Sequence, residues 1–228
     1  MFISDKTLDD LLRSTFRAII KYGIRISPSK GPNSEIFGVL LEFRQPTARL
    51  SRTETRGTVF SCLGESLWYL SKNNSLEFVR YYILEYEKFS YDRRTLYGAY
   101  GPRLFFMREN VGRIANVIRL LKKKRNTRQA VIQIFNAEDI IDDHKDVPCT
   151  CTIQFVIRNK RLHAVTYMRS NDAFLGLPHD VFAFTFLQKI IARSVGVQLG
   201  TYATLNSVGN VSVPPSINAS IESKRGLF

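Results

Sequence analysis

The stretch CTCTIQFVIRNKRLHAVTYMRS, residues 149–170, reads as two strands around a short turn. Apolar residues alternate with polar ones on both sides of Arg158-Asn159-Lys160, a period-two pattern that favours β structure. Pro148 stands directly ahead, and Cys149 opens the first strand. Next comes NDAFLGLPHD, residues 171–180, a polar and glycine-containing turn. HDVFAFTFLQKIIARSV, residues 179–195, is a strongly apolar helix that stops at Gly196. QLGTYATLNSVGNVSV, residues 198–213, is a further strand region.

Working outward, the N-terminal side supplies helices and one more strong strand. Leu8, Leu11, Leu12, Phe16, Ile19 and Ile20 recur at helical spacing over residues 7–21. SPSKGPNS, residues 27–34, is a loop, and EIFGVLLEF, residues 35–43, is a strand that RQPTARLSR breaks. VFSCLGESLWYLS, residues 59–71, predicts a helix with an apolar stripe through Val59, Phe60, Leu63, Leu67 and Leu70, interrupted by Glu65. A second helix is expected at 74–88, a Gly- and Tyr-rich loop at 91–106 and a helix at 110–124. QAVIQIFN, residues 129–136, is a strand leading into an acidic loop. No repeat or linker interrupts this order, so one α+β domain over residues 1–213 is the economical reading. From Pro214 the composition turns polar, and 214–228 is read as a short, poorly ordered tail.

Composition bounds the function. The chain has 228 residues, 44% hydrophobic and 12% aromatic, which supports a sizeable core. No apolar run reaches the roughly 18 residues a membrane span needs. The N-terminus carries acids and lacks a secretory apolar segment, so a soluble, cytoplasmic protein is expected. Three cysteines do not make a disulfide framework. Cys149 and Cys151 are not expected to act together, and His144, His163 and His179 lack ligand spacing, so no metal is expected. The net charge of +13 attracts anions, from single phosphates to nucleic acid. The basic run Lys122-Lys123-Lys124-Arg125 reads first as a solvated helix end and, less strongly, as a nucleic-acid patch.

Three places carry chemistry. Cys149 is a small apolar packing residue, or a nucleophile if a cation or base lowers its pKa. Glu65, among Leu63, Leu67 and Trp68, is a salt-bridged helix acid or a desolvated carboxyl with a raised pKa. In MRSNDAFLGLPHD, residues 168–180, Arg169 and Ser170 could donate to a phosphate. Asn171, Asp172 and Asp180 are then either ligand-facing groups or turn and cap residues.

These segments resemble the thymidylate synthase superfamily. PCTCTIQF and the run from LHAVTYMRS through VGVQLGTY carry the resemblance, with GESLWYLS (64–71), YGAYGPRL (97–104), NTRQAVIQIFN (126–136) and TETR (53–56) in collinear order. The match spans about residues 25–212 and is similar above all to the branch that hydroxymethylates cytidylate or deoxycytidylate. It implies a thymidylate synthase-like α+β fold, a mixed and largely antiparallel sheet flanked by helices, and a homodimer formed through the sheet face. It implies 5,10-methylenetetrahydrofolate as cofactor and a pyrimidine nucleoside monophosphate as substrate. On that resemblance Cys149 is the thiolate that adds to C6 of the pyrimidine, with Arg169 the cation that activates it. Glu65 serves proton transfer near C4 and C5, and Tyr100 lines the nucleophile's pocket. Arg169 and Ser170 bind phosphate, with Arg56, Lys30 and an Arg128 reaching across from a second subunit. Asp172, Trp68, Leu175 and Gly176 serve folate. Asp180 reads the base: a carboxyl there suits the N3/N4 edge of cytosine, where uracil-using members place Asn.

The pattern also departs from the family. Asn210 and Ser212 stand where a His-x-Tyr pair grips the sugar, which leaves ribose or deoxyribose open. Thr150 replaces the histidine after the nucleophile, and Gln129 replaces a second arginine. Only 16 residues follow Ser212, against a longer closing segment in the family. A second expectation is therefore a nucleotide-binding relative with an altered reaction, acting as a subunit or sensor. Recognition of a nucleotide inside a polymer is a third, prompted by charge alone.

Overall fold

Asn159 and Lys160 both take left-handed backbone angles, φ 50° and 59°. That is the two-residue turn whose twist matches a right-twisted hairpin. The structure, a computed structural model, describes residues 1–26, 33–50, 59–106 and 112–211, with side chains described up to residue 207. In chain order its elements are β1 (Phe2–Asp5), α1 (Leu8–Tyr22), β2 (Ile24–Ile26), β3 (Asn33–Phe43), α2 (Val59–Leu70), α3 (Leu76–Arg80), α4 (Tyr100–Phe105) and α5 (Arg113–Lys123). Then follow β4 (Val131–Gln133), β5 (Thr150–Arg158), β6 (Arg161–Met168), β7 (Asn171–Asp172), α6 (Gly176–Val195) and β8 (Gln198–Val211).

The strands form one mixed sheet in the order β1-β3-β8-β6-β5-β4, with β2 beside β3 and β7 beside β8. The β5–β6 hairpin lies near one end of it. β6 and β8 run parallel, so the chain must cross over between them, and α6 is that crossover. α6 is buried on most sides, through Val181, Phe184, Leu187 and Ile191 among others, which explains its unbroken apolar sequence. It ends where Gly196 takes φ 74°, a conformation that favours glycine at a helix end. α1 packs Leu8, Leu11, Leu12 and Ile19 into the same core as Ile153, Phe155 and Ile157 of β5. The alternate residues of the sheet face away from the helices. Val165, Tyr167 and Leu205 there remain exposed in the single chain.

The α+β class and the mixed sheet flanked by helices match expectation, but several local readings need correction. The stretch 74–88 is not one helix. α3 ends at Arg80, Ile83 is extended at φ −141°, and a 3-10 helix follows over Leu84–Phe89. The break lets Tyr86 turn its hydroxyl onto Glu65. The loop at 91–106 contains α4, and the strand expected at 129–136 is regular only over β4. β1, β2 and β7 were not anticipated. Most informative is α2, whose length agrees but whose face does not. Val59, Phe60, Leu63 and Leu67 are exposed, while Cys62, Glu65, Ser66, Trp68 and Tyr69 are buried. Polar groups that satisfy one another outcompeted the apolar stripe for the interior.

One ion pair ties the site's scaffold together. Arg103 on α4 donates from Nη1 to Asp139 Oδ2 and from Nη2 to Asp139 Oδ1, both at 2.7 Å. It also donates to the carbonyls of Ile134 at 3.0 Å and Tyr97 at 3.2 Å. Burial would push the Asp139 carboxyl up, but the guanidinium and the Asn136 N–H hold it below its ordinary value. The fork fastens the end of β4 to the helix that begins with Tyr100. Asp139→Ala is expected to destabilise the fold by about 3 kcal/mol, because it strands a half-buried guanidinium; urea denaturation reads this directly.

Candidate active site

Glu65 is 6% exposed on the inward face of α2. A carboxylate there must be bonded on every side to remain charged. Its Oε1 accepts from the Tyr69 hydroxyl at 2.8 Å and from the Tyr86 hydroxyl. Its Oε2 lies 2.6 Å from His179 Nδ1. Burial would raise the Glu65 carboxyl, but His179 and the two phenols outweigh it and hold it below the ordinary value. Burial likewise opposes charge on His179, yet its bonds to Cys62 and Glu65 and the negative charge of Glu65 push it up to about 10. Both partners therefore point to a carboxylate–imidazolium pair. The phenols of Tyr69 and Tyr86 stay neutral, pushed well above their usual range by burial and then by Glu65's charge.

The next residue along α6 behaves oppositely. Asp180 is pushed up to about 8, first by burial and then by the charge of Glu65, with His179 and Asn171 pulling back. At neutral pH it is a carboxylic acid, with one O–H to donate and one C=O to accept. The site thus holds two carboxyls in opposite protonation states, the usual basis of acid–base chemistry.

Cys149 is partly exposed and sits one residue before β5. A regular strand would turn Cys149 and Cys151 to the same face. The pairing with β6 shifts register between Thr150 and Thr152, which puts an irregularity at Cys151. Arg169, just past the end of β6, fixes the approach to Cys149. Its backbone N–H donates to the Cys149 carbonyl at 2.9 Å. Its Nε donates to the Pro148 carbonyl at 3.0 Å and its Nη2 to the Val147 carbonyl at 2.8 Å. The guanidinium thus clamps the loop before the thiol while staying exposed on its other side. The Thr150 N–H donates to the Tyr100 hydroxyl oxygen at 3.0 Å. Tyr100 is pushed well up by burial and then by the charges of Asp180 and Cys149, so both groups lie near enough to act on it. Cys149, Tyr100, Asp180 and Glu65 accordingly form one constellation, with Arg169 at its rim.

The other expected residues fall less evenly. Ser170 is half-buried beside Arg169. Asp172 Oδ1 accepts from the N–H groups of Phe174 and Leu175, both at 2.8 Å, and so shapes the turn into α6. Leu175 is exposed. Gly176 packs so closely that a Cβ would lie 3.0 Å from Asn171 Oδ1. Trp68, 1% exposed, lies in the core edge-on to Tyr86 at 5.4 Å between ring centroids. It builds the wall behind Glu65 and does not reach the surface where a cofactor could touch it. Arg128 is exposed before β4, where its carbonyl accepts from Gln154 Nε2 at 2.7 Å. No contact among the described residues joins it to Cys149. Lys30, Arg56 and Ser212 lie outside the described residues, as does the side chain of Asn210.

Sequence reasoning missed His179, Tyr69 and Tyr86. Tyr69 follows Glu65 by four residues, a helical spacing that brings two side chains together. His179 lies 114 residues away, and no pattern in the chain announces that contact. Ser61 Oγ lies 3.4 Å from His179 Nε2, which sets the start of α2 against the first turn of α6. Phe60 and Leu63 on α2 and Leu175 just before α6 are exposed.

The chain is similar to known proteins in both sequence and fold. The family model described as thymidylate synthase matches residues 14–211. A deoxyuridylate hydroxymethyltransferase of Bacillus phage SP01 is 30% identical over 197 residues, covering 81% of this chain and 51% of that protein. A thymidylate synthase of Buchnera aphidicola is 27% identical over 174 residues, 73% of this chain and 65% of that one. The chain spans about half the length of the phage hydroxymethyltransferases it matches. In structure it is similar to the crystal structure of thymidylate synthase from T4 phage, with a TM-score of 0.78 and 22% identity over 92% of this chain and 79% of that one.

Burying Asp180 should cost stability in a definite pH window. A carboxyl raised from 3.8 to about 8 contributes stability that is fully present below its unfolded pKa and is lost progressively as pH rises through the folded value. Asp180→Asn is therefore expected to melt close to the parent at pH 3.5 and increasingly above it by pH 8; calorimetry across that range checks it.

Proposed function

Because the chain belongs to the thymidylate synthase family, we propose that it is a folate-dependent C5 one-carbon transferase that hydroxymethylates a cytosine nucleoside monophosphate. The observation carrying this reading is the shared constellation of a partly exposed thiol, a neutral acid and a buried carboxylate, with an arginine at the thiol's loop. Cys149 adds as thiolate to C6, and the electron pair of the C5=C6 bond moves toward C5 and the C4 substituent. Asp180 meets the base edge at that moment. Its O–H donates to N3 while its C=O accepts from the 4-amino group, so charge leaving C6 is taken up by a proton already in place. Glu65, held ionised, is the group able to take a proton when C5 becomes substituted. Arg169 and Ser170 would bind the substrate's phosphate, and the resemblance adds Lys30 and Arg56 as further cations. The net charge of +13 favours that anionic substrate.

Bound 5,10-methylenetetrahydrofolate would supply the one-carbon unit at the oxidation level of formaldehyde. Asp172, Leu175 and Gly176 would hold it, as the family resemblance implies. After tetrahydrofolate leaves, water would add to the exocyclic C5 methylene while the Cys149–C6 bond breaks, which would restore the C5=C6 bond, free the thiolate and leave a hydroxymethyl group. The exposed sheet face around Val165, Tyr167 and Leu205 supports a homodimer, which is how Arg128 would reach a neighbouring site.

A second reading is a uracil nucleotide as substrate. Two observations favour it: the relatives named as deoxyuridylate hydroxymethyltransferases, and the neutral state of Asp180, whose O–H can also donate to O4. The two differ in what is transferred. Cytosine needs a proton on N3, which an acid can hand over and an amide cannot. Mass analysis of products from CMP, dCMP and dUMP decides among them, and 5-hydroxymethylated cytosine nucleotide is the expected product. Tritium release from C5-labelled substrate should vanish in Cys149→Ala. It should fall about a hundredfold or more in Glu65→Gln, and shift in preference toward uracil in Asp180→Asn. Micromolar nucleotide binding without release from any of the three would favour a subunit or sensor instead.

A further inference from the structure

His179 is a half-buried titratable group that the proposed reaction has not used. It opens α6 one residue before Asp180, and its ring reaches across to α2. Nδ1 lies 2.6 Å from Glu65 Oε2 and Nε2 lies 3.4 Å from Ser61 Oγ. The titratable groups facing it are Glu65 and Cys62 from α2 and Asp180 from its own helix. Beyond the carboxylate stand the hydroxyls of Tyr69 and Tyr86, both bonded to Glu65 Oε1. Phenols can donate to a carboxylate but carry no positive charge. Among the described partners of Glu65, the imidazole is the one that can be a cation.

We infer that His179 is a positioning residue of this site: as imidazolium it holds Glu65 ionised and oriented, so that Glu65 can only accept a proton and Asp180 is left as the group that can donate one. This assignment of the two acids rests on the proposed transferase reading; the ion pair itself rests on geometry. Without the cation, burial of Glu65 is opposed only by two neutral hydroxyls. Glu65 then competes with Asp180 for a proton, and the pair titrates as a unit. Thr150, the residue after the nucleophile, offers no imidazole from β5; the one that reaches Glu65 comes from α6.

The test combines a titration with kinetics on the full chain. With histidine ring carbons isotopically labelled, NMR follows the three imidazoles of the parent, Glu65→Gln and His179→Gln. The expected parent spectrum has one imidazole still protonated at pH 8. That signal is missing in His179→Gln and returns toward the ordinary range, near 6.5, in Glu65→Gln. In tritium release, His179→Gln should move the acid limb of kcat/KM upward by about one pH unit. At pH 7 kcat should fall about tenfold or more, with KM changed far less. Melting curves confirm that each variant is folded, and His179→Asn stands in if the glutamine variant is not. An ordinary titration of all three parent histidines, or an unmoved acid limb in a folded variant, overturns the inference. If no nucleotide is turned over at all, the reaction reading falls. The titration then decides the ion pair alone: persistent protonation sustains it, and an ordinary pKa overturns it.

Discussion

A carboxylate buried among aromatic rings costs several kcal/mol unless each oxygen is bonded, and Glu65 imposes that condition on everything around it. Three elements answer it. α2 supplies Tyr69 from the next turn of the same helix. The chain after α3 abandons its helix so that Tyr86 can turn inward. α6 delivers His179 from its first turn, which fixes how the crossover helix lies against α2. Asp180 inherits its position from that docking, and the negative charge of Glu65 helps to keep it protonated. One buried charge thus organises both the packing of two helices and the protonation of the neighbouring acid.

The other half of the site is built on the sheet. Arg169 closes the end of the hairpin by bonding the carbonyls of Val147, Pro148 and Cys149, so the thiol's backbone has little freedom. Tyr100 accepts from the Thr150 N–H, and Arg103 locks Tyr100's helix to the end of β4 through Asp139. Sheet and helices meet between Tyr100 and Asp180. Reactive groups on short loops would drift by more than the fraction of an ångström that such chemistry tolerates; here each is held by a strand end or a helix turn.

Local pattern and global packing agree in some places and part in others. The β5–β6 hairpin and α6 were legible because their periodicities, two and continuous, leave one folded outcome each. α2 was legible as a helix but not by its face. The stripe of Val59, Phe60, Leu63 and Leu67 suggested the interior, yet those residues are exposed. Mutual hydrogen bonding among Glu65, Tyr69, Tyr86 and His179 decided the rotation. The resemblance assigns Trp68 to folate, yet it is core, for the same rotation carries it inward. β1 and β7, at four and two residues, are too short to show a period.

By itself the sequence determined the α+β class, the hairpin, the crossover helix and the residue types able to do nucleophilic and acid–base chemistry. Those follow from hydrophobic period and from motifs a few residues long. Tertiary structure alone decided that His179 and Glu65, 114 residues apart, form one ion pair, and that Asp180 rather than Glu65 holds the proton. A pKa is set by burial and by the charges a few ångströms away, and neither is written in the order of residues along the chain.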